Sequence, residues 1–232
     1  MRAKSTRSAA SPVPPPSPMP VDRTTWAKDL NLSNFVNAYC QFRDIRTCGD
    51  VRKLLIVGPG QGLGTEVFRW KDYDVTTFDI DPSFRPDVIG SVHDLSAFGD
   101  GSFDAAIASH VLEHLAVPYL DGALSELARV SRFCLVYLPV AGRHAQARCR
   151  ADVKGLDVSL VLDFFNRLGR PDGVTARYCG GQHYWEVGRR GFRVADLERR
   201  FARHFRILRA YRNREWLPSY NWILASKRTE GP

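Results

Sequence analysis

Three glycines at alternate positions, Gly58, Gly60 and Gly62, form the segment whose residue types most directly suggest ligand chemistry. They follow a continuous apolar run at residues 54–57, which predicts a buried strand, and a helical pattern begins after them. Without side chains, the backbone can turn sharply and a ligand can approach it closely. The segment therefore predicts a cofactor-binding turn between a strand and a helix; the alternative is an ordinary tight turn.

A carboxylate closes the next predicted strand. Asp79 ends the strand pattern at residues 74–79, a place where a carboxylate can accept hydrogen bonds from two ribose hydroxyls. Asp81 is the competing residue, but Pro82 indicates that the strand has already ended, so we favour Asp79. The alternative role of both carboxylates is to cap the turn that follows. Together with the glycines, Asp79 predicts a clamp for a nucleoside.

The glycine spacing disfavours one class of nucleotide, the dinucleotides. Their fingerprint needs a glycine or alanine at its sixth position. That position holds Leu63 when the count begins at Gly58, and Thr65 when it begins at Gly60. The turn therefore predicts a cofactor other than NAD.

Two histidines are candidates for proton transfer, because imidazole titrates near neutrality. His110 follows the predicted fourth strand, at the sheet edge where ligands bind in open α/β folds, and it either acts as a base or packs beside the cofactor. His183 begins the string His-Tyr-Trp-Glu, in which Glu186 can orient or replace the imidazole. That string is either a loop that closes over the site or an aromatic anchor for the surrounding segment.

Metal binding is a weaker interpretation of the same region. Glu113 and His114 lie within about one helical turn of His110, a spacing that metal ligands can share, but the sequence offers no clear further ligand. The five cysteines contain no Cys-x-x-Cys pair, which indicates neither a zinc cage nor a disulfide framework and fits a reducing cytoplasm. We therefore predict no metal site.

Strands and helices alternate along the chain in the order expected of a doubly wound parallel sheet. A lead-in helix is predicted at residues 31–45, and strands at residues 54–57, 74–79, 88–90, 103–108 and 133–138. Helices lie between the strands, two of them beginning near Leu112 and Leu120. A last helix precedes two final strands at residues 205–211 and 220–225. This final pair predicts an antiparallel C-terminal edge on a mostly parallel α/β sheet.

Two segments depart from this alternation. Residues 1–24 are basic, rich in proline and serine and poor in apolar residues, which predicts a disordered tail rather than a signal sequence. Residues 25–232 are long enough for one domain. Within it, residues 141–190 are irregular apart from one predicted helical stretch at 160–168, and they predict an insertion on the ligand side of the sheet.

Charge and hydropathy limit the partners. No apolar run is long enough to span a membrane, which predicts a soluble cytoplasmic protein. The net charge of +8 permits a nucleic-acid partner without favouring one. Arginines near the C-terminus are predicted to cover the solvated face of the last helix and strand. The alternative prediction is that they form a clamp for an anionic ligand. These residues are Arg189, Arg190, Arg193, Arg199, Arg200, Arg203, Arg206, Arg209, Arg212 and Arg214.

Five segments, taken in order, resemble class I S-adenosylmethionine-dependent methyltransferases, in particular the type 11 small-molecule group. They lie at residues 54–62, 75–79, 94–98, 101–104 and 111–115. The resemblance implies a Rossmann-like fold and S-adenosylmethionine as cofactor, with the glycine turn at its methionine part, Asp79 at its ribose and residues 91–94 at its adenine. Family members often carry an acid where this chain has Ser91, so Asp94 becomes the candidate for the adenine contact; its alternative role is a turn cap.

The sequence therefore predicts methyl transfer to an oxygen or nitrogen of a small molecule, of the sugar or natural-product type. His183 and His110 are the expected bases for a hydroxyl acceptor, and Glu186 is expected to assist. Two alternatives stay open: methylation of RNA or protein, and nucleoside binding without catalysis. The sequence does not predict an oligomeric state.

Overall fold

The computed structural model of the chain describes residues 31–153, 156–166, 183–213, 215 and 219–229. The predicted tail at residues 1–24 lies outside the described residues, as do residues 167–182 of the predicted insertion. The described strands form one seven-stranded sheet and one two-stranded sheet. None of the described helices has the length and apolar character needed to cross a membrane.

The elements alternate along the chain largely as predicted. The helices are α1 (Leu32–Ile45), α2 (Leu63–Trp70), α3 (Val117–Val130) and α4 (Val194–Phe201). The strands are β1 (Lys53–Val57), β2 (Asp74–Asp79), β3 (Val88–Ile89), β4 (Phe103–Ser109), β5 (Ser131–Pro139), β6 (Arg143–Val153), β7 (Leu156–Asn166), β8 (Phe205–Arg212) and β9 (Ser219–Ser226).

The large sheet has the strand order β3-β2-β1-β4-β5-β9-β8. Strands β1 to β5 are parallel, with Ile56 of β1 opposite Thr77 of β2 and Ile107 of β4. Strand β9 lies between β5 and β8 and is antiparallel to both. The predicted doubly wound sheet with an antiparallel C-terminal edge is thereby confirmed.

Alternate residues of the central strands feed two apolar clusters, one on each face of the sheet. Leu55 and Val57 of β1 join the cluster that contains residues of α3 and α4. Leu54 and Ile56 join the cluster that contains residues of α1 and α2. Because both faces are covered, β1 reads as a continuous apolar run, and the ligand-facing groups must lie at the ends of the strands.

Helix α1 is the predicted lead-in helix. It begins after Asn31, whose side chain accepts a hydrogen bond from the Asn34 N–H (3.1 Å). Near its other end, Asp44 is fully buried, and its Oδ2 accepts the hydroxyls of Tyr137 on β5 (2.6 Å) and Tyr211 on β8 (2.5 Å). The helix is thus tied to the sheet by a buried carboxylate as well as by apolar packing.

Two predicted helices are wrong. The stretch at residues 160–168 was expected to be helical, but residues Leu156–Asn166 form β7, which pairs antiparallel with β6. The local apolar pattern fits either element, and pairing with residues 143–153 decides the outcome. The helix expected from Leu112 is a single 3₁₀ turn, Leu112–His114, and α3 begins at Val117 with Pro118 in its first turn.

Candidate active site

The three glycines of the turn after β1 all have left-handed backbone conformations. Their φ angles are +68° at Gly58, +54° at Gly60 and +84° at Gly62. A Cβ added at Gly58 would lie 2.5 Å from Cγ2 of Val111, whereas one added at Gly62 would meet nothing within 4 Å. Gly58 is therefore required by packing as well as by conformation, and the backbone at Gly62 is open to a ligand at the start of α2.

Asp79 ends β2, beside the glycine turn. The backbone N–H of Gly58 donates to the carbonyl of Phe78, the residue before Asp79 (2.9 Å). The Asp79 carboxylate is partly buried, and its Oδ1 accepts the Asp81 N–H (2.9 Å). Burial raises the pKa of the Asp79 carboxyl. A partly buried acceptor at this place suits the hydroxyls of a ribose.

Asp81 makes the same kind of local contact as Asp79. Its carboxylate accepts the Ser83 N–H (2.8 Å) at the start of the short 3₁₀ turn Pro82–Phe84. This is the capping contact that the sequence offered as the alternative for both carboxylates. Because Asp79 also accepts a backbone N–H two residues on, the choice of Asp79 over Asp81 at the ribose stays a prediction.

Helix α1 lies over the glycine turn, which sequence reasoning missed. Asn34 donates through Nδ2 to Oε1 of Gln61, within the turn (2.7 Å), and Asn37 hydrogen-bonds Oγ of Ser109 at the end of β4 (3.1 Å). In the sequence, both asparagines are simply polar residues spaced among the apolar positions of the lead-in helix. The docking of the helix on the turn could not be read from that spacing.

The predicted adenine segment forms a tight turn. The Asp94 carboxylate is exposed and accepts the Ser96 N–H (3.1 Å), and these Ser96 contacts lower the pKa of Asp94. Oγ of Ser91 lies 2.7 Å from Nδ1 of His93. The contact of Asp94 is that of a turn cap, so a role for this residue at the adenine stays a prediction.

His110 follows β4 with a φ angle of +56°, unusual for a residue with a side chain. Its backbone N–H donates to the carbonyl of Tyr137, which holds the loop at the carboxyl edge of the sheet (2.9 Å). Its Nδ1 lies 3.5 Å from Oε1 of Glu113. Its Nε2 is buried and has no hydrogen-bond partner among the described residues.

Glu113 is a buried carboxylate that sequence reasoning set aside. Its side chain is fully buried, and within the described part of the chain neither oxygen receives a hydrogen bond of good geometry. Burial opposes its ionisation, but the contact with His110 and the charges of His110, His114 and His183 outweigh burial and lower the pKa of Glu113. At 3.5 Å the contact with His110 is electrostatic rather than a strong hydrogen bond.

The His-Tyr-Trp-Glu string supplies a linked imidazole, carboxylate and guanidinium. Nδ1 of His183 lies 3.0 Å from Oε1 of Glu186, and Arg189 pairs with Oε2 of the same carboxylate (3.0 Å). Although Glu186 is buried, its contacts with His183 and Arg189 lower its pKa. An ionised carboxylate only accepts hydrogen bonds, so Nδ1 of His183 is the donor in this contact.

Trp185 anchors this string to the sheet. Its ring is almost fully buried, its Nε1 donates to the carbonyl of Leu115 (3.1 Å), and it stacks on Phe192 at 4.8 Å. The N–H of Val187 donates to the carbonyl of Pro139 at the end of β5 (2.9 Å). The interpretation of the string as an aromatic anchor therefore describes Trp185, and closure of the string over the site stays a prediction.

Carboxylates pair with several of the C-terminal arginines. Arg200 and Arg203 both contact Asp121 on α3 (3.3 and 2.9 Å), and Arg199 pairs with Asp196 on its own helix. These pairs fit the predicted charged face of α4 more closely than a clamp for an anion.

A family of known proteins matches the part of the chain that contains the glycine turn. The family described as "Methyltransferase domain" matches residues 55–132, which include the glycine turn, Asp79 and the loop after β4. A search of curated proteins found no significant match.

Solved structures share the fold at low sequence identity. The PH0226 protein of Pyrococcus horikoshii is 13% identical, with 88% of this chain and 95% of that chain covered and a TM-score of 0.55. A methyltransferase of Clostridium acetobutylicum that depends on S-adenosylmethionine is 6% identical, with the same coverage and TM-score. An amino pentose methyltransferase of calicheamicin biosynthesis from Micromonospora echinaspora is 13% identical (87% and 94% covered, TM-score 0.52).

Proposed function

We propose that this chain is a class I, S-adenosylmethionine-dependent methyltransferase and that it methylates an oxygen or nitrogen of a small molecule. The observation that carries the proposal is the convergence, at the carboxyl edge of the sheet, of an open glycine turn, the Asp79 carboxylate and the His183–Glu186 pair. The amino pentose methyltransferase that shares the fold supports an acceptor of the sugar or natural-product type.

The residues present fit the cofactor. The backbone at Gly60 and Gly62 is left-handed, and no atom would obstruct a ligand within 4 Å of a Cβ position at Gly62. In the proposed binding mode this turn holds the methionine part, and Asp79 accepts hydrogen bonds from the ribose hydroxyls. When bound, S-adenosylmethionine supplies a methyl group already activated by a positively charged sulfur.

The protein's own contribution is alignment and proton removal. Glu186 fixes the ring of His183 with Nδ1 protonated, which leaves Nε2 to accept a proton from an acceptor hydroxyl. Arg189 keeps Glu186 ionised and so preserves that orientation. His110 is the second candidate base, at the end of β4. Trp185 holds the string in place and excludes water from this side of the site.

Calorimetric titration of the full chain with S-adenosylmethionine tests the proposal. We expect the wild type to bind and Asp79→Asn to bind about 10- to 100-fold more weakly, because hydrogen bonds to a charged group contribute roughly 1.5–3 kcal/mol. The matched control is Asp74→Asn at the exposed start of the same strand, which is expected to bind as the wild type does. Absence of binding by the wild type, or equal binding by Asp79→Asn, would contradict the proposal.

A further inference from the structure

Glu113, His114 and His183 form a cluster with the spacing of a metal site. One potential ligand atom of each lies within 4.8 Å of those of the other two. Glu113 and His114 belong to the turn after β4, and His183 comes from the string that pairs with the end of β5. The rings of His114 and His183 meet edge to face, with centroids 4.9 Å apart. The two segments are joined here because the N–H of Tyr184 donates to the carbonyl of Glu113 (2.9 Å).

A second, independent observation is the buried carboxylate itself. Glu113 is fully buried, and neither of its oxygens has a hydrogen-bond partner in the part of the chain that the structure describes. The nearest basic nitrogen is Nδ1 of His110, at 3.5 Å. A buried, unsatisfied carboxylate is costly, and a bound cation removes that cost.

An outer contact already orients one of the three side chains. Glu186 lies 3.0 Å from Nδ1 of His183, which directs Nε2 of that ring away from Glu186. Imidazole ligands of metals commonly have a carboxylate on their other nitrogen in this way. His110 makes only a longer electrostatic contact with Glu113 (3.5 Å). The cluster is therefore a supported set of donors rather than a chance meeting of polar side chains.

We propose that Glu113, His114 and His183 bind a divalent first-row transition-metal ion such as zinc. Two imidazoles and one carboxylate are the donors that zinc and its neighbours prefer, whereas magnesium and calcium require mostly oxygen ligands. Ligand atoms on one zinc ion lie roughly 3–3.5 Å apart, given bond lengths near 2.0–2.2 Å. The ligand atoms of the observed cluster lie within 4.8 Å of one another, so the largest separation must shorten by roughly 1–2 Å when an ion binds.

The proposed metal site does not depend on the proposed methyl transfer, but it lies beside the proposed cofactor site. Val111, in the same loop, packs against Gly58 of the glycine turn. A metal ion and a proton compete for Nε2 of His183, so the base chemistry proposed above belongs to the metal-free protein. The sequence prediction of no metal site depended on the lack of a clear further ligand beyond His110, Glu113 and His114, and His183 supplies one from almost seventy residues after His114.

The test is cobalt binding by the full chain, stripped of metal and titrated in the absence of cofactor. We expect one cobalt ion per chain, a visible absorption spectrum typical of nitrogen and oxygen ligands, displacement by zinc and no displacement by magnesium. His114→Gln and His183→Gln are each expected to weaken binding at least about 100-fold, and Glu186→Gln about 10- to 100-fold, the usual effect of removing an outer partner. His204→Gln, which removes a histidine distant from the cluster, is the matched control.

Glu113→Gln needs a separate measurement because it alters a buried charge. Its fold is checked by circular dichroism and by cofactor titration, and a folded Glu113→Gln is expected to lose cobalt binding. The proposal is overturned if the wild type binds no cobalt, or if the His114, His183 and His204 variants all bind it equally. Wild-type protein that binds S-adenosylmethionine but not cobalt would overturn the metal site and leave the proposed function intact.

Discussion

At the residue scale, the three glycines of the turn do different things for different reasons. The sequence predicted a turn from their spacing, and the turn is present with all three φ angles positive. Spacing alone could not distinguish Gly58, which is pressed against Val111, from Gly62, which faces open space. The distinction comes from a loop some fifty residues further along the chain, so it depends on tertiary packing.

Alanine substitutions separate these two roles. Gly62→Ala is expected to cost about 1–2 kcal/mol, the usual penalty for a side chain in the left-handed region. Gly58→Ala carries the same penalty and a further 1–3 kcal/mol or so from overpacking against Val111. Urea unfolding of both variants measures the difference.

A double variant identifies the cause. If the clash with Val111 is responsible, Gly58→Ala combined with Val111→Ala is less destabilised than the sum of the two single variants. Simple additivity, or equal costs at Gly58 and Gly62, would show that packing against Val111 does not distinguish the two glycines.

The polar residues show where sequence reasoning reached its limit. The position of Asp79 was predictable because a strand pattern ends at it, whereas its contact with the Asp81 N–H matches the one that Asp81 makes with the Ser83 N–H. The burial of Glu113 was not predictable, because a local sequence pattern does not reveal whether a charged residue is buried. Its surroundings include His183, and no spacing rule links two residues so far apart in the chain.

At the element scale, helix α1 illustrates the same division. Apolar periodicity predicted a helix at residues 31–45, and the helix spans Leu32–Ile45 with Asn31 as its cap. Its attachment was hidden, since Asp44 lies on the helix but its partners Tyr137 and Tyr211 lie on β5 and β8. Arg43 completes the network by contacting both Asp44 and Tyr211 (3.1 and 2.6 Å).

Removal of Asp44 should loosen this helix. Asp44→Ala leaves two hydroxyls and a guanidinium without their common acceptor, and we expect a loss of about 3–5 kcal/mol in the free energy of unfolding. Tyr137→Phe removes a single hydrogen bond to the carboxylate and should cost roughly 1.5–3 kcal/mol. Asp50→Ala, at a side chain that is 90% exposed, is the control and should change stability little. Urea denaturation followed by circular dichroism checks all three; a loss at Asp44 no larger than at Asp50 would contradict the assigned role.

The hairpin of β6 and β7 is the element that the sequence predicted least well. Apolar residues at positions 158, 160, 162 and 164 alternate as a strand requires, and those at 160, 164, 165 and 168 fit a helix equally. A helix needs only local contacts, whereas this strand exists through its pairing with β6. Local pattern therefore predicted apolar character correctly and the element type wrongly.

At the scale of the whole molecule, the fold was predictable because it follows from the alternation of strands and helices along the chain. Five short buried runs separated by helical patterns permit few arrangements other than a doubly wound sheet, and right-handed crossovers then place all strand ends that carry ligand groups at one edge. The observed strand order places β1 and β4 side by side, so the glycine turn and the loop of His110 become neighbours. The strand order does not identify the methyl acceptor. The string at residues 183–186 lies outside the alternating strands and helices from which the fold was predicted.

The distribution of charge over the molecule bears on the alternative of RNA methylation. The net charge is +8, yet Arg200, Arg203 and Arg199 pair with carboxylates, and so does Arg228, which contacts Asp100 (3.5 Å). Each pair lowers the positive potential that a phosphate backbone would meet. We therefore expect single-stranded RNA to bind no more tightly than the non-specific range, about 10⁻⁴–10⁻⁶ M at physiological salt.

Transfer from labelled cofactor settles the acceptor class most directly. The protein is incubated with labelled S-adenosylmethionine and with separate fractions of metabolites, RNA and protein from host cells. We expect the label in the small-molecule fraction, and we expect Arg200→Gln combined with Arg203→Gln to transfer it as fast as the wild type, because these side chains face Asp121 rather than the site. Label in the RNA fraction, lost in this double variant and suppressed steeply by salt, would instead show that the arginine face holds a nucleic acid and that the small-molecule assignment is wrong.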